Sequence, residues 1–187
     1  MRISKSAVLL SAVLVATSVT GTSASAASLA DIPNLEIGAV GWNWPGADKP
    51  WNRNAERVDV KNTSTEAVNV KGLIVEDSWR HGQPDSYTGP CNRFTVTSVP
   101  QADGSTAETL PAGHTLRVYV GAGTPKVMAG TRHDVFMDSP AKCGYNGHIF
   151  NNGPGSSKQA PWETVWVKLG ANTESKSYNY SFGYWVQ

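Results

Sequence analysis

Short runs in which every second residue is apolar constrain this chain more than any other feature. In Arg57-Val58-Asp59-Val60-Lys61 the valines alternate with charges. A two-residue period places the two sets on opposite faces of a β-strand and does not form the stripe of an amphipathic helix. The pattern returns after a turn at Asn62-Thr63-Ser64-Thr65, where Val68, Val70 and Leu73 to Val75 read as the partner of the first run in a hairpin or Greek-key pair. Further strands are predicted at Leu35 to Val40, Phe94 to Val99, Thr115 to Val120, His133 to Met137, Thr164 to Leu169 and Ser177 to Trp185. Gly and Pro punctuate the connections, as in Trp44-Pro45-Gly46, Pro111-Ala112-Gly113 and Gly121-Ala122-Gly123. Eight or so short strands without long helical windows predict an all-β sandwich.

The first residues follow different rules. Arg2 and Lys5 precede an apolar stretch from Ala7 to Val19, and Ala24-Ser25-Ala26 follows it, the arrangement of a secretory signal peptide. Ser11, Thr17 and Ser18 interrupt that stretch, and it falls short of the roughly 20 residues a membrane-spanning helix needs. Residues 1–26 are therefore set aside as a signal peptide and 27–34 as a short mobile lead-in. The span 35–187 reads as one domain, because no linker, internal repeat or charge block divides it. Of the 16 Lys and Arg residues two lie in the leader, so 14 remain against 15 Asp and Glu. That balance disfavours a general nucleic-acid or anionic-membrane binder, which needs an excess of cations. No anchor motif follows the last strand, and the expectation is a secreted, extracellular monomer with no membrane span.

Cys91 and Cys143 both lie in the exported part, where an oxidising compartment lets thiols pair. One disulfide is predicted, closing a loop of about 50 residues and stabilising by roughly 2–4 kcal/mol. It would pin two long connections, roughly Asp77 to Asn92 and Gly144 to Pro161. A reactive thiol with a His partner is the alternative, but neither Cys sits in a nucleophile signature.

Three blocks of the sequence carry a resemblance. The first runs from Glu56 to Asp77, with alternating valines, Asn62, a turn, and Val68-Asn69-Val70-Lys71-Gly72 ahead of an apolar strand. The second is Leu110-Pro111-Ala112-Gly113-His114 with the strand to Val120 and the glycines after it. The third is Ile149-Phe150-Asn151-Asn152 with a strand from Glu163 to Leu169. Their order and spacing over about 56–169 resemble the lamin tail domain family. Leu73 and Phe150 stand where that family usually has Trp, and an insertion from Pro154 to Trp162 follows Asn152. The resemblance implies an immunoglobulin-like β-sandwich and a non-enzymatic role in making contacts. Asn62 and Gly72 also have local readings: Asn at a strand end bonds its own backbone two residues on, and Gly inside a strand suggests a bulge.

The search for chemistry starts from His81, His114, His133 and His148, which with Asp134 or Asp138 offer imidazole and carboxylate ligands for zinc. Their spacing supports no site, since the adjacent His133 and Asp134 face opposite sides of a strand. Glu56, Asp59, Glu76, Asp77 and Glu163 are the candidate carboxylates for a glycoside hydrolase, but charges alternating on strands read as a solvated face. No Ser lies in a nucleophile elbow and no glycine loop precedes a helix. The prediction is no enzyme, no metal and no cofactor.

Aromatic residues say more. Of seven Trp residues, Trp42, Trp44 and Trp51 crowd one Pro-containing loop, and Trp79 and Trp162 fall in the long connections. Such rings either close the end of a sandwich or form platforms for sugars and partner side chains. These five are the candidate ligand surface, whereas Trp166 and Trp185 read as core or sheet surface. A secreted, non-catalytic binding module is thus expected, with a cell-surface glycan or a protein as partner. DNA is the weaker choice, because acidic residues dilute Lys61, Lys71, Arg117 and Lys168. The alternatives are a carbohydrate-binding sandwich that uses the Trp42, Trp44 and Trp51 loop, and a secreted hydrolase.

Overall fold

The computed structural model describes residues 32–41, 54, 56–84, 86, 87, 89, 91–138 and 162–179, without the side chains of 162, 163 and 179. The fold is all-β, as the alternation predicts. Five strands form one sheet in the order β1 (Leu35–Gly41), β2 (Arg57–Asn62), β9 (Thr115–Tyr119), β11 (Arg132–Phe136) and β10 (Lys126–Met128). Four form a second: β13 (Asn172–Asn179), β12 (Trp162–Leu169), β4 (Ile74–Asp77) and β5 (Arg93–Thr95). Two small ribbons pair β3 (Val68–Asn69) with β8 (Thr109–Leu110) and β6 (Val99–Pro100) with β7 (Thr106–Ala107). A single turn of helix, α1 (Ser78–His81), follows β4.

One apolar cluster joins the two sheets into a sandwich-like body. Val58, Val60, Leu116 and Val118 from the five-stranded sheet meet Val75, Val165 and Val167 from the four-stranded one, all at most 1 % exposed. Burying each such side chain contributes roughly 1.5–3 kcal/mol before conformational entropy opposes it. Val68 and Leu169 are partly buried against the same cluster. Ile32, at the end of the predicted lead-in, is packed into it as well.

Strand pairing differs from the hairpin predicted for the first two valine runs. β2 pairs with β1 and β9, whereas β3 pairs with β8 and β4 with β12 and β5. The second run therefore crosses to the other sheet. Gly72 marks the crossing: it adopts φ +81° in the turn between β3 and β4, a left-handed conformation that glycine reaches without steric cost. It is a turn residue and not an in-strand bulge. Among the described residues, β1 carries a bulge, where the register with β2 shifts between Ile37 and Val40.

Asn62 behaves as its local reading predicts and goes further. Its Oδ1 accepts from Ser64 N at 2.9 Å and Ser64 Oγ at 2.8 Å. Its Nδ2 donates to the carbonyls of Glu66 at 2.7 Å and of Leu110 and Pro111 at 3.0 Å. One fully buried amide thus ties the end of β2 to the turn after β8.

The predicted strand from Ser177 to Trp185 starts earlier, at Asn172, because Gly170 and Ala171 make a tight hairpin in which Leu169 faces Asn172. Residues beyond 179 lie outside the described part, as do the leader, Cys143 and the connection from Gly144 to Pro161. No cysteine among the described residues is free. Among them, no helix is long and apolar enough to cross a membrane.

Candidate functional site

The most elaborated part of the surface surrounds α1, which carries Trp79. Asp77 caps the helix, its Oδ1 accepting from Arg80 N at 2.7 Å, a bond that satisfies one of the open N–H groups of a helix start. Asn92 Nδ2 donates to the other oxygen of Asp77 and ties the helix to the entry of β5. Arg80 is 2 % exposed. Its Nη2 donates to Tyr87 O at 2.7 Å, and its guanidinium lies 4.7 Å over the Tyr87 ring. Tyr87 in turn meets Trp79 edge-on, with ring centroids 5.6 Å apart. Trp79 is held by these contacts yet remains 48 % exposed, the more exposed of two large apolar side chains among the described residues that stand out to solvent.

Beyond the helix lies the outer face of the four-stranded sheet. The His81 ring stacks flat on Trp166, centroids 3.8 Å apart and planes within 1°, and its Nδ1 is 3.0 Å from Glu76 Oε1. Arg93 donates to Glu76 Oε2 from Nε at 2.8 Å, with Nη2 at 2.6 Å. Lys168 Nζ stands 3.6 Å from Glu76 Oε1. Glu76 is fully buried under these partners; the expectation of a solvated acid does not hold there. Burial alone would raise its pKa. Hydrogen bonds from Arg93 and His81, with the charges of Arg93 and Lys168, outweigh that and hold the carboxyl below its usual range.

An ionised, donor-saturated carboxylate is a poor general acid, which requires a raised pKa. The other central acids are clasped in the same way. Asp59 takes Arg117 side-on through bonds of 2.6 and 2.7 Å, and Asp134 takes Arg132 through bonds of 2.8 and 3.2 Å. Bidentate guanidinium contacts of this kind are strong and orienting.

The histidines do not converge on a metal. Among the described residues, no three His, Cys, Asp or Glu side chains are grouped to hold one. His133 Nδ1 lies 2.6 Å from Pro100 O, an acceptor only, so this nitrogen carries the proton. His133 Nε2 then accepts from His114 Nδ1 at 2.8 Å. Burial, and after it the electrostatic influence of the neighbouring His133 on a protonated ring, lowers the pKa of His114. The unfolded chain therefore takes up that proton first, and stability falls as pH drops below about 6.5, the ordinary histidine value. Urea midpoints are expected to decline between pH 7.5 and 5.5, with a shallower slope for His114→Gln. Equal slopes for the two proteins count against this pairing.

Of the tryptophans expected at a ligand surface, Trp42, Trp44 and Trp51 lie outside the described residues. Trp162 opens β12 opposite Asn179, with its side chain outside the described part. Of these five, Trp79 alone has its side chain among the described residues. Lys61, Lys71, Arg117 and Lys168 do not share a face: Lys61 and Arg117 lie on the five-stranded sheet, Lys168 on the four-stranded one, and Lys71 pairs with Glu108 beside the β3 ribbon. The His81, Arg93 and Lys168 cluster was not anticipated. Its signal was the alternation that sets Glu76 opposite both Arg93 and Trp166. In comparison with known proteins, the chain matches no family model and no curated protein.

Proposed function

We propose that this protein is a secreted, non-catalytic binding module on an immunoglobulin-like sandwich of the lamin tail type, with Trp79 in its ligand surface. The observation that carries this reading is the exposed indole of Trp79, which Tyr87, Arg80 and the Asp77 cap hold in place. Core packing has no use for half an exposed ring, whereas ligands stack on one. The saturation of Glu76, Asp59 and Asp134 by cations supports a role without acid–base catalysis. The leader and the pairing of Cys91 with Cys143 belong to the same reading, and a bond at Cys91 would brace the loop beneath Arg80.

The ligand class that suits a held indole is a cell-surface glycan or a protein side chain. Co-sedimentation of the mature protein with insoluble cell wall, chitin and cellulose at low and high salt tests it. Retention that survives salt and drops roughly tenfold in Trp79→Ala, at the scale of a lost aromatic anchor, supports the reading. The variant's thermal midpoint should stay within a few degrees of the parent. Equal retention of parent and variant removes Trp79 from the ligand surface.

A further inference from the structure

The outer face of the five-stranded sheet carries its charges in two layers. Register sets Lys126, Asp134, Arg117 and Asp59 in one row across β10, β11, β9 and β2. Arg132, Thr115 and Lys61 form the next row, with Glu36 opposite Lys61 at the margin, and Arg57 lies beside Tyr119 on the other side. The central acids are sunk: Asp134 is 2 % and Asp59 8 % exposed. Lys61 and Lys126 are exposed, and Arg57, Arg117 and Arg132 are partly so. Solvent therefore meets five cations above two covered carboxylates, with the exposed carboxylate of Glu36 at the β1 margin. The crowding is felt by Arg57, whose pKa is lowered by burial and then by the charge of Arg117, Arg132 adding to it.

We propose that this face binds an acidic polysaccharide, its uronate carboxylates received by Arg57, Arg117 and Arg132, with Lys61 and Lys126 flanking them. Arg117 and Arg132 engage their own aspartates through Nε and Nη2, which directs each Nη1 edge away from that carboxylate, with the Tyr119 hydroxyl a further neighbour of the Arg117 guanidinium. Guanidinium edges are matched to planar carboxylates. Strand spacing and side-chain period set neighbouring cations about 8–10 Å apart, a ladder for a linear polymer with recurring charge.

Nucleic acid fits this face less well. The Tyr119 and Phe136 rings stack on one another at 5.0 Å, each covering one face of the other, which halves the ring surface on which the bases of a single strand could stack. A sheet face without a projecting helix or ribbon has nothing to insert into a duplex groove. The proposal rests on the reading of the protein as a binding module, though not on Trp79.

Affinity electrophoresis in gels containing alginate, at neutral pH and low salt, tests it against gels containing neutral dextran. The parent is expected to be retarded by alginate alone. The double variant Lys61→Glu, Lys126→Glu, which leaves both Arg–Asp pairs intact, should bind roughly tenfold more weakly, as reversed rim charges do. Lys168→Gln, a cation removed from the other sheet, and Trp79→Ala should both bind as the parent does. No retardation of the parent, or equal retardation of the double variant, overturns the proposal, as does displacement of alginate by duplex DNA at a lower charge concentration. Loss of alginate binding in Trp79→Ala also overturns it while leaving the binding-module reading standing. Alginate binding with no retention on wall polysaccharides fails the Trp79 surface alone.

Discussion

Asn62→Ala is expected to lower the unfolding free energy by about 3–4 kcal/mol, read from urea denaturation. The magnitude follows from what the alanine leaves behind. Three carbonyls, those of Glu66, Leu110 and Pro111, lose a donor, and Ser64 N loses its acceptor. A buried polar group left unpaired costs roughly 1–3 kcal/mol, and part of this set regains water at the edge of the turn. Asn62→Asp should do no better, because its carboxylate keeps the bond from Ser64 but faces three carbonyl oxygens without a proton to offer. A loss below about 1 kcal/mol for the alanine would mean that solvent satisfies these groups and that the amide is no keystone.

Glu76→Ala carries the second large effect, a loss of about 3 kcal/mol, at the lower end of the range for breaking a buried ion pair. It strands Arg93 and Lys168 beside each other, and their quarter-exposed side chains limit the damage. The pH dependence has a definite sign. The folded pKa of Glu76 is depressed, so the unfolded chain protonates first. The stabilisation is complete above the ordinary glutamate value of about 4.3 and fades as pH falls through it towards the folded value. Parent and Glu76→Gln should therefore differ most in denaturation midpoint near pH 6 and converge in acid. A difference that stays constant down to pH 3 would show that the side chain acts by shape and not by charge.

How far the sequence revealed this molecule varies from residue to residue. Val58, Val60, Leu116, Val118, Val165 and Val167 announce both strand and inner face, since period two leaves no other arrangement that buries them together. Partners are a different matter. Nothing local distinguishes β9 from β4 as the neighbour of β2, because each is a short run with a buried valine and the choice is made by closure of the whole sandwich. Asn62 shows the same division: its bond to Ser64 is two residues away and legible, while the carbonyls of Leu110 and Pro111 come from across the sheet. Glu76 misled for a related reason. It occupies an outward position in its strand, and only the turn of helix that brings His81 back over Trp166 covers it. Four residues of helix are too few to register as a period, so neither the cover nor the cluster beneath it was readable. Trp79 was singled out by its place in a long connection, and its brace by Tyr87 and Arg80 depends on contacts that residue types alone do not specify.

The bulge in β1 has a consequence for the order in which the chain can assemble. Where β1 leaves its ladder with β2, Lys176 Nζ donates to Gly38 O at 2.7 Å and to Ile37 O at 3.3 Å, and Ile37 N donates to Glu174 Oε1 at 2.8 Å. These bonds join positions 137 to 139 residues apart, nearly the two ends of the described chain. Closing so long a loop is entropically expensive, and contacts of this kind slow folding. A polypeptide that emerges amino-terminus first must hold its opening strand with these groups unmatched until the last hairpin has been made. Among the described residues, the final knot is thus tied between the first strand and the last, and loss of either strand unfastens both.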